Sequence, residues 1–314
     1  MSTRRALRIP ATRQAGVLLA LATATISGFA VFLNGYAVRR FGDPTLYTTA
    51  KNAVAALLLM GLLAAVTTRH RQSSEALTLP SSRRGRWGLV LVGVIGGGIP
   101  FLLFFEGLAR AESVQAAFIH KSLLLWVVLL AVPFLKEQLS WYHLAAIGLL
   151  VWGQVALVGG ISDLRLGTGE AMILGATLLW SIEVVVAKRL LTDVSPLTLG
   201  VARMGVGMVV LVGWAAVSGA FGGLAGLGLS QWAWALLTGL VLTGYVATWY
   251  SALARAQAVD VSAVLVFGAV VTALLKSGVQ GAAIPSVGGL VLVTMGVAAI
   301  VAATRGRPRS PART

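Results

Sequence analysis

Charged and titratable side chains are rare inside the apolar runs of this chain, and the few that occur are its candidate chemistry. Glu106, His120, Lys121, Glu183, Lys51, Arg203 and Lys276 all sit in such runs or at their edges. If the runs lie in lipid, an ionisable group near the centre costs about 2.5–3.5 kcal/mol, so each needs a partner, an aqueous cavity or a place near a helix end. Glu183 follows Trp180 by three residues on the same helical face, which lets a ring and a carboxylate together receive a cationic or amine-bearing solute. The competing reading has Glu183, about one turn from Lys188 and Arg189, reach an aqueous interface. Asn34 stands five residues before Arg39 as Glu183 stands before Lys188, and offers neutral hydrogen bonds to a solute or between helices.

His120 and Lys121 lie on faces about 100° apart, so only one of them points straight into a cavity. Lys121 is the costlier to leave in lipid. Buried, it can bind an anion such as a carboxylate or take part in proton coupling. It can equally form a structural ion pair with Glu106, which has an alternative partner in Arg110 one turn on. Glu106, Glu183 and Lys121 are thus the candidates for coupling or ion pairing. Tyr245, Thr248 and Trp249 share a face through spacings of three and four, an aromatic wall with hydroxyls that serves either packing or a solute. Lys276, close to the end of its run, can snorkel. The binding candidates are Asn34, His120, Lys121, Trp180, Glu183, Tyr245 and Trp249. No catalytic set accompanies them: His70, His120 and His143 are too far apart for a helical metal motif, and no nucleophile elbow, Walker loop or dinucleotide fingerprint occurs. No metal or cofactor is expected, and the chain is not read as an enzyme.

The elements that carry these residues follow from composition. Of 314 residues 57% are hydrophobic and 11% charged, against roughly a quarter charged in a soluble domain. The apolar residues fall in runs of about 20, the length that crosses about 30 Å of hydrocarbon. Ten runs are expected, at about 15–38, 46–66, 87–109, 113–134, 141–160, 168–187, 197–218, 231–253, 259–277 and 285–303. Tyr47, Trp87, Trp141, Tyr142, Trp232 and Trp234 mark run ends, as amphipathic rings do at headgroup depth. Gly93 and Gly97, one turn apart, allow close helix packing. The net charge of +15 concentrates outside the runs, at Arg4, Arg5, Arg8 and Arg13, at Arg69, Arg71, Arg83, Arg84 and Arg86, and at Arg305, Arg307, Arg309 and Arg313. That pattern reads as positive-inside topology with both termini cytoplasmic, and makes the bilayer rather than nucleic acid the partner. Lys136, Lys188, Arg189 and Arg255 fall on the same side, while Arg39, Arg40, Arg110 and Arg165 fall outside. The basic start followed by an apolar run is longer than a signal-peptide core and reads as a retained first helix. Cysteine is absent, which excludes disulfides and thiol chemistry. Arg outnumbers Lys, and Ala and Gly abound, which suggests a GC-rich bacterial genome and hence a bacterial inner membrane.

The two halves echo each other. Leu108-Ala-Arg-Ala111 recurs as Leu253-Ala-Arg-Ala256, each between the third and fourth runs of its half. Pro44 and Pro196 each precede a second run and are followed seven residues later by a basic residue, Lys51 or Arg203, a correspondence that favours a fold or interface role for that pair. Five runs per half is an odd number, so the second half must enter the membrane inverted. Such repeats exchange conformations around a site near midplane. The fold expected is an all-α membrane protein of ten transmembrane helices in two inverted five-helix repeats, with a basic tail at 1–14, repeats at 15–160 and 161–303, and a second tail at 304–314.

At this level the sequence resembles the EamA-type transporters of the drug/metabolite transporter superfamily, over nearly its whole length. The best local match runs from Gly107-Leu-Ala-Arg-Ala-Glu112 through the fourth run to Leu135-Lys-Glu-Gln-Leu-Ser-Trp141, resembling the family's Gly-Glu-x-Leu-Ser step, with Lys136 where the family usually has glycine. In the second half Ser277-Gly-Val-Gln-Gly281 lies at the corresponding place, with Gln280 nearest to Glu137. The resemblance implies a central cavity lined mainly by helices one, three, four, six, eight and nine, and efflux of a small metabolite, amino acid or drug. A non-transporting scaffold or an intramembrane enzyme on the same fold is the alternative. Monomer and homodimer are both compatible with the sequence.

Overall fold

The structure, a computed structural model, describes residues 13–69, 79–111, 113–160, 166–284 and 286–305. Arg4, Arg5, Arg8, His70, Arg71, Glu112, Arg165, Arg307, Arg309 and Arg313 lie outside these. The described chain is all-helical, with nine helices long and apolar enough to cross a membrane and a tenth that is shorter. In chain order they are α1 (Arg13–Phe41), α2 (Pro44–Arg69), α3 (Arg83–Leu108), α4 (Gln115–Leu135), α5 (Trp141–Leu157), α6 (Thr168–Leu190), α7 (Pro196–Val217), α8 (Leu229–Leu253), α9 (Ala258–Gln280) and α10 (Val287–Thr304). The uncharged stretch before α8 holds a further short helix, Phe221–Ala225. Helix α5 stops at Leu157, short of the expected residue 160, because Gly159 and Gly160 take φ of 81° and 110°, outside helical space.

Local chemistry sets the helix starts. The Asp43 carboxylate accepts from the backbone N–H of Thr45 (2.7 Å) and Leu46 (3.1 Å), and Pro44 follows at a position where a missing N–H costs nothing. Ser195 and Pro196 repeat the device at α7, the Ser195 hydroxyl accepting from Thr198 N–H at 3.1 Å. The paired prolines seen in the sequence are therefore paired helix starts.

The inverted repeat shows in packing. Helix α1 packs on α8 and α9 as α6 packs on α3 and α4, and the halves meet where α2 lies on α7 and α5 on α10. Glycines permit the closest approaches: a Cβ at Gly97 would stand 1.9 Å from the carbonyl oxygen of Arg203 on α7, and one at Gly239 on α8 would stand 3.0 Å from that of Lys51 on α2. The third helix of each half thus crosses the second helix of the other at its basic residue. Helices α4 and α9 are each interrupted, after Lys121 and after Leu265. Each then ends on a left-handed residue, Lys136 (φ 55°) and Gly281 (φ 65°), which also stand at matched places. Glycine is the residue that adopts this conformation freely, so Lys136 holds at some cost a backbone geometry that Gly281 holds without one. The caps also put Ala282, not Gln280, opposite Glu137. Gln280 instead donates to the Tyr36 hydroxyl at 2.8 Å.

Candidate functional site

A cavity of about 120 Å³ lies between the halves, lined from α1, α2, α3, α4, α6, α7, α8 and α9. Behind three of its lining residues lies a glycine-rich π-helical turn in α3, Gly93–Gly98. Wide turns of this kind free backbone carbonyls from the helix ladder and recur at functional sites. Here the freed carbonyl of Gly96 accepts from Trp180 Nε1 at 3.0 Å and from Arg203 Nη2 at 3.1 Å. No side chain fits at Gly96 itself: a Cβ would lie 2.6 Å from Glu183 Cγ and 3.3 Å from Arg203 Nε. The turn therefore pulls a ring, a carboxylate and a guanidinium from two helices of the other half to one point.

Glu183 is buried at 1% exposure and its Oε1 accepts from the Tyr250 hydroxyl at 2.6 Å. It does not reach an interface, and the nearby Lys188 instead donates to the carbonyls of Leu253 and Ala256 at 2.5 and 2.6 Å. Arg203 is equally buried, with Nε and Nη1 making no hydrogen bond. Lys51 faces the same space, and its ammonium stands over the rings of Phe105 (4.0 Å), Tyr47 (4.9 Å) and Phe101 (5.3 Å). Cation–π contact of this kind contributes about 0.5–2 kcal/mol but satisfies no N–H donor as a hydrogen bond would. Asn34 accepts from the Tyr47 hydroxyl, leaving its amide NH2 for the cavity. The wall is otherwise aromatic. Trp180, Phe104 and His120 meet with centroids 5.0–5.5 Å apart, and Tyr245 stacks on Trp249 at 6.0 Å and 10°.

The structure thus brings six of the seven binding candidates, Asn34, His120, Trp180, Glu183, Tyr245 and Trp249, to one cavity and leaves Lys121 apart. Lys121 points from the break in α4 toward a second, smaller cavity against α5, beside Gln154 and Val266. It makes no pair with Glu106. That carboxylate binds Arg110 at 2.6 Å and accepts from the Thr45 hydroxyl at 3.0 Å. Thr248 donates to Gly244 and Tyr245 carbonyls of its own helix, so the expected wall keeps its rings but not that hydroxyl. Lys276 is exposed. The residues missed are Lys51 and Arg203, set aside as structural, and Phe101, Phe104 and Phe105. Their shared signal was in the sequence: basic residues at matched places in both halves of an inverted repeat face the same axis.

A second polar cluster closes the face of the bundle on which α1 begins and α10 ends. Arg13 grips Asp260 through Nε (2.7 Å) and Nη2 (3.0 Å), and Nη2 also donates to Gln257 Oε1 at 3.1 Å. His143 Nε2 lies 3.2 Å from Asp260 and 3.1 Å from Arg13, while its Nδ1 meets the Ser140 hydroxyl at 2.6 Å. Glu137 caps α9, accepting from Ala258 N–H at 2.7 Å and Val259 N–H at 3.0 Å. Burial holds the Glu137 carboxyl above its usual 4.5 against the pull of these donors and of Lys188. Arg189 donates to the Phe134 carbonyl at the end of α4. The cluster ties α1, α5 and α6 to the loops before α5 and α9, and every residue from Ala258 to Leu265 is buried. Beyond the break, only Gly268 and Val270 of Gly268–Gln280 are buried. Helix α9 is therefore packed on all sides at this face and less so toward the other.

Two inverted five-helix halves around a largely apolar cavity that carries a few charged side chains suit a membrane transporter architecture. The comparisons agree. A model of the EamA-like transporter family matches residues 14–159 and again 167–302, so the chain belongs to that family, within the drug/metabolite transporter superfamily. No curated protein matches the sequence significantly. A solved structure titled only "Crystal structure of protein" is similar over 92% of this chain and 98% of its own, with a TM-score of 0.69 at 18% identity, which speaks for the fold.

Proposed function

We propose that this multi-pass membrane protein exports a small organic solute by alternating access, with both termini in the cytoplasm of a bacterial inner membrane. The observation that carries the reading is the central cavity, set between inverted halves and lined by charges that form no ion pair among the described residues, with the Arg13–Asp260–His143 cluster read as the seal at one face. Binding in such a site draws on rings for contact area and on a few placed polar groups for orientation. Trp180, His120, Tyr245 and Trp249 supply the rings, and Glu183 and Asn34 the polar atoms, together with Lys51 and Arg203. The basic loops favour the cytoplasm for the sealed face. Proton coupling falls to Glu183, the one carboxylate on the cavity wall among the described residues, since Glu106 is held by Arg110. The test is flux of labelled metabolites in proteoliposomes. Wild type moves at least one tested solute and Glu183→Gln, confirmed folded, moves it at least tenfold more slowly. Wild-type flux in Glu183→Gln would remove Glu183 from the site, and flux indifferent to an imposed pH gradient would remove the coupling.

A further inference from the structure

The charges on the cavity wall do not balance. Two cations, Lys51 and Arg203, face one carboxylate, Glu183. That carboxylate already accepts from Tyr250 at 2.6 Å, and neither cation forms an ion pair among the described residues. Lys51 is 3% exposed and lines the cavity, and its ammonium stands over three rings with no ion pair among the described residues. Arg203, 4% exposed, spends one nitrogen on the Gly96 carbonyl and leaves Nε and Nη1 unbonded. Asn34 turns its carbonyl to Tyr47, so its amide adds further donors. A buried donor without an acceptor costs free energy, and one buried charge is expensive unless paired. Among the described residues no ion pair completes either cation. A solute can.

We propose that the solute is an organic monoanion with a planar apolar body, its carboxylate held by Lys51 and the free nitrogens of Arg203, its body against Trp180, Phe104, Tyr245 and Trp249. The shapes fit the roles: a guanidinium offers a planar fork to a carboxylate, and aromatic walls receive a flat ring by stacking or edge contact. Glu183 lies near Arg203 without pairing with it and repels a second negative charge, which sets the preference for one carboxylate over two. This inference rests on the transport reading for its flux arm only; its binding arm stands alone.

The experiment is calorimetric titration of the purified full chain with four compounds of one skeleton: phenylacetate, neutral phenylacetamide, cationic phenethylamine and zwitterionic phenylalanine. Phenylacetate is expected to bind at least tenfold more tightly than phenylacetamide, and phenethylamine most weakly. Lys51→Met removes the tenfold preference, while Lys51→Arg, the control for folding, keeps it. Equal binding of acid and amide overturns the proposal, as does tighter binding of the amine. Tighter binding of phenylalanine that disappears in Glu183→Gln replaces the monoanion with a zwitterion and overturns it too. The same compounds in proteoliposomes separate the two readings: phenylacetate that binds but does not cross refutes transport and keeps the site, whereas flux of the amine without the acid keeps transport and refutes the site.

Discussion

The two polar clusters of this bundle use the same residue types in opposite ways. At the closed face Arg13, His143, Asp260 and Glu137 satisfy one another and the backbone, so Asp260 is held by both Arg13 and His143, and Glu137 by two N–H groups. Around the central cavity Lys51, Arg203 and Glu183 are also buried, but neither cation forms an ion pair among the described residues, and Nε and Nη1 of Arg203 make no hydrogen bond. Burial alone therefore does not mark a site. What separates a structural charge from a functional one here is whether the fold itself completes the pairing, and the incomplete set surrounds the open space.

The contrast makes stability and activity diverge on mutation. The largest stability change is expected at the closed face: Asp260→Asn weakens the charge-assisted bonds to Arg13 and His143 and should cost about 2–3 kcal/mol, read as a lower midpoint in SDS-induced unfolding. Lys51→Met should do the reverse, raising the same midpoint by about 1 kcal/mol, because an unpaired buried charge is replaced by an apolar chain of similar length. Its flux should nevertheless fall. A midpoint lowered as far as in Asp260→Asn would show that Lys51 is structural after all.

Smaller effects sharpen the same line. Glu137→Gln keeps one acceptor for the α9 start and loses the other, a cost of about 1 kcal/mol on the scale of helix caps. Because burial raises the folded-state pKa of Glu137, its titration favours folding below the usual 4.5, and that contribution is lost as the pH rises through the raised value. An unfolding series from pH 4 to 8 should show this decline in wild type and lack it in Glu137→Gln. Smallest is Lys136→Gly, which relieves the left-handed backbone at φ 55° and should stabilise by a few tenths to about 1 kcal/mol with flux unchanged.

Much of this architecture was legible in the sequence because lipid is a strict solvent: run length, basic loops and the recurring Leu-Ala-Arg-Ala dictate ten spans in two inverted halves. The break in α4 after Lys121 was not legible, since no Gly or Pro marks it, and Lys121 turns away from the cavity there while His120 faces it. The spacing of Gly93 and Gly97 points to close helix packing, and both lie against α7, but glycine spacing cannot reveal that Gly96 offers its carbonyl to Trp180 and Arg203. Asp260 and Arg13 are 247 residues apart and pair only through the fold. Lys51 and Arg203 were seen to correspond and read as structural; two-fold related residues that face the axis meet at the same cavity.

The absence of cysteine allows the central claim to be tested with one introduced thiol. Ala30→Cys places it on the cavity wall, and a membrane-impermeant maleimide is applied from each side of oriented vesicles. The thiol should react from the face opposite Arg13 and Asp260 and be protected from the face they close, and adding Asp260→Asn should open reaction from that second face. Reaction from the Arg13 side with the cluster intact, or protection from both sides in every variant, would contradict the account.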